Sequence, residues 1–205
     1  MLQDPKEKTL SLVITILPLI IISLAGQKCP AIFQYDRSAI IEGQYWRIVT
    51  CHFVHTGWEH LLLSLIGVAL LFGLFARLYS LFAWLTGALC CMIGISLSFL
   101  VFCPTLEWYK GLSGLLHGLL VMGIVGEIRN GNKFYYLLLL AITGKLALEY
   151  FYGPADLTSQ FTNAVVITSA HLAGAIAGGM TGCIILLGQI LLPDQSMRIP
   201  ADHAA

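Results

Sequence analysis

Charge is scarce in this sequence. Only 11% of its 205 residues are Asp, Glu, Lys or Arg, where a soluble domain carries roughly 25%. The two signs cancel at eleven each, so no excess points to nucleic acid or another polyanion as partner. No internal repeat or low-complexity tract is present. A cleavable leader is also not evident: the first apolar stretch lacks a convincing small-residue cleavage site and reads as a retained helix. Hydrophobic residues fill the chain instead, at 58%, with a mean hydropathy of +0.83. This balance implies an integral membrane protein in contact with the lipid bilayer, and the length suits one membrane domain.

A helix of about 20 apolar residues crosses a bilayer. Six stretches qualify, at 10–26, 56–76, 80–103, 111–128, 134–152 and 165–192. The expected architecture is an all-α bundle of six transmembrane helices over residues 10–192. A polar segment, 1–9, precedes it and a tail, 193–205, follows it. The fourth stretch is short, as a helix starting below the membrane surface would be. Residues 27–55 form the longest connection, too long for a simple turn. Lys6, Lys8, Arg77, Arg129, Lys133 and Arg198 fall on one side, and Lys28, Arg37, Arg47 and Lys110 on the other. This bias places both termini in the cytoplasm.

Cys90, Cys91 and Cys183 lie in apolar spans and read as small core residues. Cys29, Cys51 and Cys103 lie near loops, and their pairing is left open. In the long first loop, Glu42-Gly43-Gln44-Tyr45-Trp46-Arg47 joins aromatics to a cation. The residue types favour an interfacial belt; the alternative is a structured loop whose Arg47 binds backbone carbonyls.

His52, His55 and His60 follow closely. Three histidines could ligate a metal, but no acid or thiolate is clearly placed to complete a site, and neither metal nor cofactor is expected. His60 and Ser64 are one helical turn apart and can face the bundle together. Lys145 and Glu149 share the same spacing and read as a mutually neutralising pair ahead of a direct catalytic role, because an isolated charge in the bilayer costs about 2.5–3.5 kcal/mol.

Two polar positions interrupt apolar runs: Ser113 with His117 in Gly111-Leu112-Ser113-Gly114-Leu115-Leu116-His117-Gly118, and His171 in the last span. Ala170, Gly174, Gly178 and Gly182 form a small-residue stripe beside His171, and Gly114 and Gly118 a matching pair beside Ser113. Such stripes let helix backbones approach closely. If they pack together, the serine and the late histidine meet. A hydroxyl becomes a competent nucleophile when a base takes its proton, and histidine suits that role. No carboxylate sits beside these residues in the sequence, so a Ser–His dyad is the expected arrangement. His117 and His171 compete as base. The amide of Ser113 and the side chains of His60 and Ser64 are candidate oxyanion donors.

These residues resemble the rhomboid intramembrane serine proteases over nearly the whole chain. The matching pieces are Trp46-Arg47, His55 and His60, Gly111-Leu112-Ser113-Gly114, and Ala170-His171 followed by Gly174 and Gly178. The resemblance implies Ser113 as nucleophile, His171 as general base, His60 as an oxyanion side chain and His117 as the ring packed under the base. Ser64 stands where rhomboids commonly have an oxyanion asparagine, a shorter donor. The closest likeness is to the rhombosortase group, through His117, the Lys145-Leu-Ala-Leu-Glu149 segment, Gly153-Pro154 and the minimal length. That group implies substrates with C-terminal Gly-Gly membrane anchors on exported proteins, and a bacterial inner-membrane location. Two rival readings remain: a silent rhomboid-like binder of membrane helices, and a histidine-ligated haem or metal carrier.

Overall fold

A computed structural model describes residues 20–154, 159–160 and 165–191. Most of the first expected span, the N-terminal segment, the tail, Ala155 and Asp156 lie outside the described residues, as do Lys6, Lys8 and Arg198. Residues 20–28 are helical. Five long helices follow: α1 (Trp58–Phe75), α2 (Leu81–Phe102), α3 (Ser113–Arg129), α4 (Phe134–Tyr152) and α5 (Thr168–Leu191). Four of them, α1, α2, α4 and α5, are long and apolar enough to cross a membrane. The remaining one, α3, has 17 residues, at the short end of the about 17–25 that cross a bilayer. It is also the helix that starts at the serine.

α3 is the central helix, packed against α1, α2, α4 and α5. Its closest partner is α5, and the glycine stripes explain why. A Cβ on Gly174 would overlap the carbonyl oxygen of Gly114, and one on Gly178 would overlap that of Gly118. A Cβ on Gly114 would come 2.8 Å from the carbonyl oxygen of Ala170. Only hydrogen at these positions permits backbone-to-backbone contact. The outer helix faces are apolar and exposed, at Leu70, Leu85, Leu140 and Ile184 for example, as lipid contact requires. Cys90 and Cys183 belong to that outer surface, which corrects their assignment to the core; Cys91 is buried, and all six cysteines are free thiols. Apolar character along a span did not distinguish lipid from core.

The first loop is ordered through polar contacts. Arg47 is buried at 6% exposure, and its Nη1 donates to the carbonyls of Ala31 and Gln34 at 2.8 Å each, with Nε donating to Gln44 Oε1 at 2.9 Å. Trp46 Nε1 donates to the Ile32 carbonyl at 3.2 Å. Arg47 thus has the role of the structured-loop reading, because a buried guanidinium needs acceptors and the folded loop supplies them, while Tyr45 and Trp46 stay exposed. Arg37 caps α2, donating to Phe99 and Leu100 carbonyls at 3.1 and 3.0 Å. A two-residue antiparallel ladder pairs β1 (Tyr35–Asp36) with β2 (Trp108–Tyr109), Tyr35 opposite Tyr109. β2 leads directly into the serine turn.

Candidate active site

Gly111 sets the approach to Ser113. Its φ of +135° lies in the region that favours glycine. Its amide donates to the Cys51 carbonyl at 3.1 Å, and its carbonyl accepts from Tyr109 Oη at 2.7 Å. A Cβ here would meet the His60 ring, 2.8 Å from Cε1 and 3.0 Å from Nε2. His60 from α1 is thereby brought against the chain two residues before the serine. Its Nδ1 lies 3.0 Å from Thr56 Oγ1; a hydroxyl donating there leaves Nε2–H free to donate toward the serine turn. Ser113 opens α3, and no side chain caps that helix start. Its amide is one of the first-turn N–H groups for which a helix has no internal acceptor.

Across the glycine contact, His171 Nε2 lies 3.0 Å from Ser113 Oγ. The stripes thus bring together the two polar positions they flank. The other nitrogen, Nδ1, lies 2.8 Å from Glu149 Oε2, and Lys145 Nζ lies 2.8 Å from Glu149 Oε1. This corrects the expectation that no carboxylate adjoins the pair. Lys145 and Glu149 do neutralise each other, and that pairing is what allows a buried carboxylate at the histidine. An acidic residue inside a span, one turn from a cation, was the sequence signal for it.

His117 is occupied on both sides. Its Nδ1 lies 2.8 Å from the Ser113 carbonyl, which can only accept, so Nδ1 carries the proton. Its Nε2 lies 2.7 Å from Lys145 Nζ, which can only donate, so Nε2 is the acceptor. Its ring stacks on His171 with centroids 4.2 Å apart and planes 11° apart. Neither nitrogen is left to face Ser113 Oγ, whereas His171 Nε2 lies 3.0 Å from it.

Ser64 is buried, with Oγ 3.1 Å from His55 Nε2. Its hydrogen bond serves the loop histidine, whose ring meets His60 edge-on at 5.1 Å. Ser64 thus lies behind His60, held through His55. The three loop-proximal histidines have separate partners: His52 Nε2 is 3.1 Å from the Met92 carbonyl, His55 is on Ser64 and His60 on Thr56.

Burial pushes His52 and His55 down to about 4. An unfolded histidine takes up its proton at about pH 6.5. Stability from these two is therefore full above that pH and is lost as pH falls toward 4, on the order of 3 kcal/mol each. The expected result is a fall in melting temperature between about pH 7 and pH 4.5, partly flattened in His55→Gln. An identical profile for that variant would remove His55 as a cause.

A search of curated proteins finds no match. The family model described as the Rhomboid domain matches residues 42–188. That interval runs from the Arg47 loop through the serine turn and on past His171 and both glycine stripes. The chain belongs to the rhomboid family, a family of intramembrane serine proteases.

Proposed function

We propose that this protein is an active intramembrane serine endopeptidase in which Ser113 is the nucleophile and His171 the general base. The observation that carries the reading is the 3.0 Å approach of His171 Nε2 to Ser113 Oγ. In the first step Nε2 takes the hydroxyl proton as Oγ attacks the scissile carbonyl carbon. The resulting oxyanion is held by the Ser113 amide and the His60 Nε2–H. The imidazolium then passes its proton to the leaving amine nitrogen as the C–N bond breaks. Water, activated by His171 in turn, resolves the acyl-enzyme and restores the serine.

The substrates proposed are transmembrane proteins whose C-terminal anchor helices unwind near small residues such as Gly-Gly, as the rhombosortase likeness implies. Access is from the extracytoplasmic side of a bacterial inner membrane, with both termini cytoplasmic. An amine in place of water would leave the released product with an added group, which mass spectrometry of that product reads directly.

The test is labelling by a fluorophosphonate serine probe in detergent. Wild type should label and Ser113→Ala should not. A folded wild type that labels no better than Ser113→Ala would favour the alternative of a silent helix-binding rhomboid.

A further inference from the structure

We infer that Glu149 is a positioning residue that completes a Ser113–His171–Glu149 relay, with Lys145 holding its carboxylate in place. This deepens the proposed function and rests on it. Glu149 is 9% exposed, in a helix long and apolar enough to cross a membrane, where an unpaired charge is costly. Both its oxygens are used: Oε1 accepts from Lys145 at 2.8 Å, and Oε2 faces His171 Nδ1 at 2.8 Å. A carboxylate can only accept, so it holds the His171 proton on Nδ1 and leaves Nε2 as the base facing Ser113 Oγ. When Nε2 takes the serine proton, the imidazolium keeps its Nδ1–H on Oε2. The new positive charge then forms against an anion already in place.

The groups around His171 agree with this assignment. From α3 it meets Ser113 and the stacked His117, and from α4 Lys145 and Glu149. Lys145 Nζ is 3.4 Å from His171 Nδ1 but 2.7 Å from His117 Nε2. The cation is thus drawn to His117 and Glu149.

Fluorophosphonate labelling is followed as a function of probe concentration for wild type, Glu149→Gln and Glu149→Asp. Glu149→Gln keeps shape and burial but can present its NH₂ to Nδ1, which then favours the tautomer with the proton on Nε2. The limiting labelling rate should fall about 10²–10⁴-fold with half-saturation little changed, and Glu149→Asp should recover part of it. A limiting rate in Glu149→Gln equal to wild type overturns the inference. A purely structural role would instead depress Asp and Gln alike. Should Glu149→Gln not fold, nitrogen NMR of histidine-labelled wild type decides. A neutral His171 protonated on Nδ1 supports the relay, and one protonated on Nε2 overturns it. If wild type itself does not label, the serine-protease reading fails; if wild type labels and Glu149→Gln matches it, only the relay fails.

Discussion

Replacing His171 by alanine is expected to lower fluorophosphonate labelling and substrate cleavage by about 10⁴–10⁶-fold, the loss seen when a general base is removed from a serine nucleophile. His117→Ala is expected to lose far less, up to about 10²-fold, the scale of a misplaced base rather than a missing one. The asymmetry follows from hydrogen-bond valence. Both His117 nitrogens are committed, to the Ser113 carbonyl and to Lys145, whereas His171 Nε2 faces the hydroxyl at 3.0 Å. Its stacked ring supports His171 from below, and removing it leaves His171 looser but still able to accept a proton. Equal losses in the two variants would refute this division of labour.

The second large effect is at Gly178. A methyl there would overlap the carbonyl of Gly118, and neither backbone can move aside as a side chain could. α3 and α5 would have to separate, at a cost of about 1–3 kcal/mol or more. Gly178→Ala should lower the melting temperature by roughly 5 °C or more and reduce serine labelling as Ser113 and His171 draw apart. Gly188→Ala on the same helix is the control, since nothing lies within 4 Å of a Cβ there. A Gly178→Ala variant as stable and reactive as Gly188→Ala would mean that the stripe does not set the helix spacing.

The pairing of Ser113 with His171 was legible in the sequence because small residues at four-residue spacing encode both a close approach and the face on which it occurs. Other parts were less accessible. Glu149 could be seen as buried and paired with Lys145, but its rotation toward His171 depends on how α4 leans on α5, and no stripe encodes that. The partner of Ser64 lies in a loop, at His55, where helical periodicity says nothing. The partners of Arg47 were not legible, because tryptophan and tyrosine beside a cation are equally at home at a lipid headgroup; the carbonyls of Ala31 and Gln34 that it binds lie 16 and 13 residues away. Cys90 and Cys183 went wrong for a related reason, since one apolar residue suits lipid as well as core.

The two-residue ladder between β1 and β2 joins the first loop to the approach of Ser113. Tyr35 pairs with Tyr109, Tyr109 holds the Gly111 carbonyl, and the Gly111 amide is tied to Cys51. The serine is therefore suspended from the first loop as much as it is anchored in the bundle. A blow to that loop, such as a proteolytic nick near Gln34 or an antibody prying at Asp36, would slacken the suspension and shift Ser113 while every long helix stayed in its place.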